Sequence, residues 1–274
     1  MILNKIRSKD EIEVEGNLMQ KRDIVILVKD KSRKEEAVSL SKRAGLFMTE
    51  DESDTLNAAN ILLYEKKDLK LIGEGLEMEG DFSRMIKRVT KNRWQHELLV
   101  KAAKINGLNT DEESERPVLM DCTAGLGEDS LLLAASGFQV DMYERNPIIS
   151  ALLKDALRRA KKVPELREIV TRMHLHEEDS IEAIGKLIKT PDVIYLDPMF
   201  PGREKSALIK KKFQLIHMLE KPADDEKELL SAVTGAGPDK IVIKRPPKGP
   251  YLADVKPSYS IEGKAVRFDC IACR

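Results

Sequence analysis

Asp197-Pro198-Met199-Phe200 carries the clearest chemistry in this chain. It follows Val193-Ile194-Tyr195-Leu196, an apolar run that reads as a buried strand. A carboxylate and a neighbouring backbone carbonyl can accept the two hydrogens of an exocyclic amine, and an aromatic ring can stack on the base that carries it. The lone pair of such an amine is delocalised into its ring, so the amine is a poor nucleophile. Hydrogen bonds to the Asp197 carboxylate and the Pro198 carbonyl would orient it and favour its pyramidal form. Stacking on Phe200 would contribute roughly 1–3 kcal/mol. Asp197, Pro198 and Phe200 are therefore the candidate catalytic residues.

A second device lies upstream, in Asp121-Cys122-Thr123-Ala124-Gly125-Leu126-Gly127-Glu128-Asp129. Gly125 and Gly127 let the backbone turn sharply and approach a ligand. Glu144 ends the next predicted strand, about 20 residues on, where such folds place a carboxylate on ribose hydroxyls. The third glycine of the dinucleotide fingerprint is missing. Glu128 and Asp129 stand there instead; they would repel a pyrophosphate but suit a cationic sulfonium and ammonium. S-adenosylmethionine fits this loop better than NAD.

These residues need a scaffold. From Pro117 onward strands and helices alternate: strands over 118–122, 138–143, 172–176, 192–196 and 240–243, and helices over 129–136, 147–161 and 180–188. Asn146 is the expected cap of the second helix, with Pro147 at its first position. Such a series implies a mostly parallel sheet covered on both faces. Residues 259–262 and 265–271, joined at Gly263-Lys264, read as a terminal antiparallel hairpin. Residues 81–105 read as one long helix carrying Arg84, Lys87, Arg88, Lys91, Arg93, Lys101 and Lys104, and 110–115 as an exposed acidic loop. Before it, strands over 23–28, 61–64 and 69–72 and a helix over 34–44 stopped by Gly45 make a small α+β region of residues 1–83. Residues 84–274 form the second, larger domain.

The chain has 274 residues, with 42% hydrophobic, 34% charged and zero formal net charge. This excludes a polycation but not a local basic face. No apolar stretch is long enough to span a bilayer, and Met1–Asp10 lacks the apolar core of a signal peptide. Three cysteines make no disulfide framework. The expected compartment is the cytoplasm.

Taken in order, 121–129, Glu144-Arg145-Asn146-Pro147, Tyr195 to Pro201, Lys205-Ser206-Ala207-Leu208, Lys244-Arg245-Pro246 and Arg267-Phe268-Asp269 resemble the RsmJ (YhiQ) family. The resemblance runs from about Arg84 to the C-terminus and more weakly back to Gly45. It implies a class I methyltransferase fold: an α/β, Rossmann-like, mostly parallel sheet with a C-terminal antiparallel hairpin. It also implies transfer of methyl from S-adenosylmethionine to a guanine N2 of small-subunit (16S) ribosomal RNA. Glu128-Asp129, Glu144-Arg145, Asp179-Ser180 and Asp197 would then contact the cofactor, joining Asp121, Gly125 and Gly127. The family usually has a basic residue where this chain has Glu128.

Lys205, Lys210, Lys211 and Lys212 follow the tetrapeptide, and Lys244 and Arg245 end a strand, so Lys205, Lys210, Lys244 and Arg245 are candidate RNA contacts. The 84–104 stretch would extend that rim. The expected partner is ribosomal RNA or the small subunit; no oligomeric state is indicated. Cys270-x-x-Cys273 closes a strand and lacks the second half of a zinc site. His174 and His176 share a face with no third ligand, so no metal is expected. Three other readings compete: amino-methylation of adenine or another base in DNA or other RNA, an NAD-dependent dehydrogenase, and a non-catalytic adenine-nucleotide-binding or ribosome-assembly factor. The missing glycine and the hairpin oppose the second; Asp197 and Phe200 oppose the third.

Overall fold

The computed structural model describes residues 23–105, 116–198, Leu219 and 225–273. They fall into two units, one ending at Glu79 and one starting at Gly80. The first is a five-stranded sheet with β1 (Ile24–Val28) between β2 (Phe47–Thr49) and β3 (Asn60–Tyr64), both parallel to it. β4 (Leu69–Gly73) and β5 (Leu76–Met78) extend it antiparallel. Helix α1 (Lys34–Ala44) ends where Gly45 takes a left-handed φ of +67°, a conformation glycine adopts without a Cβ penalty.

The second unit holds a seven-stranded sheet. β6 (Val118–Asp121), β7 (Gln139–Tyr143), β8 (Met173–His176), β9 (Val193–Leu196) and β10 (Lys240–Arg245) are parallel. β11 (Tyr259–Glu262) and β12 (Arg267–Ala272) close one edge antiparallel, giving the order β11-β12-β10-β9-β6-β7-β8. The central parallel strands are buried on both sides because their side chains alternate between two cores, whereas the edge strand β8 exposes His174. Leu119, Val140, Met142, Tyr195 and Val242 face the core made with α4 (Glu128–Ala135), α5 (Pro147–Ala160) and α6 (Pro164–Val170). Met120, Ile194, Leu196, Ile241 and Ile243 face the other, against α7 (Ser180–Ile184) and α8 (Glu226–Gly235). Asn146 caps α5 as expected, its Oδ1 accepting from the Ile148 and Ile149 N–H groups.

The stretch read as one helix over 81–105 is broken. A 3-10 turn leads into α2 (Ile86–Val89), and the chain re-forms as α3 (Leu98–Ala103) only after Lys91 and Asn92 take φ of +52° and +56°. Thr90 ends α2 in extended conformation with its hydroxyl donating back to the Ile86 carbonyl. Side chains that compete for backbone groups in this way favour a stop over a continued helix. The terminal hairpin is present, but its connection is longer than the two-residue turn expected. It runs from Gly263, whose N–H donates to the Val266 carbonyl at 2.8 Å, so β12 starts at Arg267 rather than Ala265. Among the described residues no helix is long and apolar enough to cross a membrane.

Candidate active site

The strand order reverses at β6, with β7 on one side and β9 on the other. At such a switch point the loops leaving the carboxyl ends diverge and open a crevice. Every parallel strand delivers a candidate residue to that end: Asp121 and the glycine loop from β6, Glu144 from β7, Asp179 from beyond β8, Asp197 from β9, and Lys244 from β10.

The glycine loop is pinned from three sides. Asp121 is fully buried, its Oδ1 accepting the Thr123 N–H at 3.0 Å and its Oδ2 the Ser130 hydroxyl at 2.5 Å. Glu144, also buried, accepts the Gly125 N–H at 3.0 Å on Oε2 and the Asn146 N–H at 2.7 Å on Oε1. The Thr123 hydroxyl oxygen accepts the Asp197 N–H at 2.6 Å, which ties the β6 loop to the β9 loop across the switch point. Gly127, the N-cap of α4, has φ of +77°, and a Cβ there would lie 2.6 Å from Leu153 Cδ1. The positive φ calls for glycine, and a Cβ would also oblige the Leu153 methyl to move.

Burial pushes the Asp121 carboxyl up to about 7 from an ordinary 3.8, against the Ser130 and Thr123 hydrogen bonds, with Asp129 and Asp197 adding repulsion. The native state then holds a proton there that the unfolded chain releases near pH 4. This group's contribution to stability therefore falls as pH rises from about 4 to about 7 and stays lost above that. Asp121→Asn should remove that component, so denaturant unfolding at pH 5 and pH 8 should differ less in the variant than in the native chain.

Asp197 and Asp129 meet at a single cation. Lys244 Nζ donates to Asp129 Oδ2 at 2.6 Å and to Asp197 Oδ2 at 2.8 Å. The buried Tyr195 hydroxyl also donates to Asp129 Oδ2, at 2.6 Å. Burial opposes the Lys244 charge, but the two carboxylates outweigh it and hold its pKa above the ordinary lysine value. For Asp197, loss of water raises the pKa; Lys244 counters this and Asp129 reinforces it. The Asp197 side chain is still 37% exposed, so a substrate can reach it. Its Oδ1 has no partner among the described residues.

The remaining candidates are spread around this centre. Pro198 is buried directly after Asp197. Glu128 is exposed in the first turn of α4. Asp179 caps α7 through the Ile181 N–H at 2.8 Å and meets Arg145 at 3.3 Å, while the adjoining Ser180 is buried. Arg145 bonds Asp225 more closely, at 2.6 Å. Phe200, Lys205 and Lys210 lie outside the described residues, as does the acidic loop over 110–115.

Two basic residues sit elsewhere than the sequence suggested. Lys244 points into the cleft, as above. Arg245, expected on an RNA-facing rim, is only 2% exposed; its Nε donates to the Pro250 carbonyl at 3.0 Å and its Nη1 to Glu226 at 3.1 Å. It holds the loop after β10. Arg267 does the same from β12, with a bidentate pair to Asp269 at 2.8 Å and donations to the Pro247 and Gly249 carbonyls. In the broken 81–105 stretch, Arg88 is neutralised by a bidentate pair with Glu97 at 2.7 and 2.8 Å. Thr123, Ser130 and Tyr195 join the site without being evident in the sequence. Their signal was faint: ordinary hydroxyls inside or beside motifs already noted.

A parallel sheet that turns back at its last two strands, with carboxylates gathered round its glycine loop, is the class I S-adenosylmethionine-dependent methyltransferase arrangement. The SAM_MT family model, of SAM-dependent methyltransferases, matches residues 39–272. The chain is 36% identical over 209 residues to ribosomal RNA small subunit methyltransferase J of Neisseria gonorrhoeae, spanning 75% of this chain and 80% of that one. It is 46% identical over 155 residues to the protein of the same name from Pseudomonas fluorescens, spanning 56% and 60%. A crystal structure of a SAM-dependent methyltransferase from Neisseria gonorrhoeae superposes with a TM-score of 0.69 at 30% identity, over 91% of this chain and 96% of that one. The chain belongs to the ribosomal RNA small subunit methyltransferase J family. Its cofactor is S-adenosylmethionine, and the cleft suits that ligand: the carboxylates of Asp129, Glu144, Asp179 and Asp197 outnumber the Lys244 and Arg145 cations bonded among them, an excess of acid that favours a cation and disfavours a pyrophosphate.

Proposed function

We propose that this chain transfers a methyl group from S-adenosylmethionine to the exocyclic N2 amine of a guanine in small-subunit ribosomal RNA. The observation that carries the reading is Asp197. It stands at the switch point, tied by its N–H to the glycine loop, with Oδ2 held by Lys244 and Oδ1 directed to no described partner. That oxygen is the proposed acceptor for one amine hydrogen, and the Pro198 carbonyl for the other. Together they fix the nitrogen and raise its nucleophilicity, while Phe200 stacks on the base. The cofactor supplies an activated methyl on a sulfonium. Gly125, Gly127, Asp129, Glu144 and Asp179, with Asp121 shaping the loop, form its proposed seat. Catalysis then consists mainly of alignment, which is worth several kcal/mol when reacting atoms are held near contact. A methylated ammonium is acidic and gives up its proton readily, so a strong base is not needed; Asp197 is a competent acceptor.

The relatives' names support ribosomal RNA as substrate, and the resemblance of 121–129, 195–201 and 267–269 supports guanine N2. The catalytic domain is residues 84–274. Asp197 would serve an adenine amine equally well, so the substrate must be read directly. Labelled methyl transfer to undermethylated small subunits, naked ribosomal RNA and DNA, run in parallel, should label RNA in one or both forms. Label in DNA alone would refute the assignment.

A further inference from the structure

We propose that Lys244 is a positioning residue for methyl transfer: it bridges Asp129 in the cofactor loop to Asp197 in the amine-binding loop and does not contact RNA phosphate. This rests on the reading of Asp197 as the amine acceptor. A lysine at a strand end beside a polyanion site would ordinarily be read as a phosphate contact. Here the ammonium is turned inward, with a carboxylate at 2.6 Å and another at 2.8 Å. Three donors on a flexible stem can serve both oxygens at once.

The bridge has two consequences. It uses Oδ2 of Asp197 and so presents Oδ1, which fixes which oxygen meets the amine. It also supplies the positive charge that keeps Asp197 an acceptor, since a protonated carboxyl would turn one oxygen into a donor. Among the described residues the charged groups around it are few. From α4 and β9 come Asp129 and the Tyr195 hydroxyl bonded to it. From β6 comes Asp121, from β10 the neighbouring Arg245, and from the 81–105 stretch the Arg88–Glu97 pair, which feels Asp129. Arg245 is committed to Glu226, and Arg88 to Glu97. Lys244 alone among these cations is bonded to Asp197.

The test measures Lys244→Met and Lys244→Arg for three properties: S-adenosylmethionine affinity by calorimetry, RNA affinity against salt, and single-turnover rate against pH at saturating RNA. Lys244→Met should bind RNA with native affinity and salt slope. Its rate should fall about 100-fold, the usual cost of a small misplacement of a reacting group, and its acid limb should move to higher pH. Lys244→Arg should recover part of the rate and the native acid limb. If Lys244→Met fails to fold, Asp129→Asn/Lys244→Met removes one opposite charge with it and should fold; its acid limb should still lie above the native one, by less than in Lys244→Met, because the Asp129 charge that also raises Asp197 is gone. A weakened RNA affinity with a salt slope reduced by about one and a native rate at saturation would overturn the proposal. So would a native rate and an unmoved acid limb in Lys244→Met. An inactive Asp197→Ala beside a fully active Lys244→Met would defeat this inference alone. A fully active Asp197→Ala would defeat the reading beneath it.

Discussion

Asp197→Ala should lower the methyl-transfer rate by on the order of 100- to 1000-fold, the range seen when one preorganised polar group is removed from a reacting centre. It should do so without unfolding the chain. Lys244 keeps its 2.6 Å contact to Asp129 in the variant, so no buried charge is stranded. The Asp197 N–H that donates to Thr123 belongs to the backbone and survives as well. Cofactor affinity, read by calorimetry, should change little by comparison. The loss should appear in kcat, because the amine contact gains strength as the nitrogen becomes pyramidal. A variant that retains full rate would remove Asp197 from the chemistry.

Glu144→Ala should act on the other substrate. The two oxygens of this buried carboxylate hold the N–H groups of Gly125 and Asn146. Removing them leaves two donors without their acceptor at the point where the glycine loop must keep its shape. Hydrogen bonds to a charged group contribute about 1.5–3 kcal/mol each, and about 1.4 kcal/mol is tenfold in affinity. S-adenosylmethionine should therefore bind on the order of 100-fold more weakly, with RNA affinity unchanged. Unaltered cofactor affinity in a folded Glu144→Ala protein would show that the loop does not depend on this carboxylate.

The central parallel strands were legible because they are buried on both faces and so read as short unbroken apolar runs. Val193 to Leu196 and Ile241 to Ile243 are examples. Asn146-Pro147 declared a helix start, and Gly125 and Gly127 declared the loop, because those residue types answer local backbone demands. The failures share a cause of the opposite kind. Lys244 meets Asp129 from 115 positions away and Asp197 from 47, so nothing local announces that its charge is turned inward. Arg245 looks like a surface cation in the sequence because its ion-pair partner, Glu226, stands 19 positions back on α8; its other partner, the Pro250 carbonyl, lies only 5 positions on, in a loop whose path the residue types do not announce. The 81–105 stretch kept helical spacing in its apolar residues, yet Lys91 and Asn92 adopt left-handed φ, a conformation their residue types permit without demanding. Pro164 starts α6, but α6 follows α5 after only three residues, so the two are hard to separate in the sequence.

In the proposal the motif at Asp197 supports an exocyclic amine as the nitrogen attacked, and the base that bears it is the part most open to direct proof. Undermethylated small ribosomal subunits and their naked RNA should be treated with the enzyme and methyl-labelled S-adenosylmethionine, digested to nucleosides and resolved by mass. Label recovered as N2-methylguanosine, and absent with Asp197→Ala, is the expected result. Label in methylated adenosine, in a ring nitrogen or in ribose would contradict it.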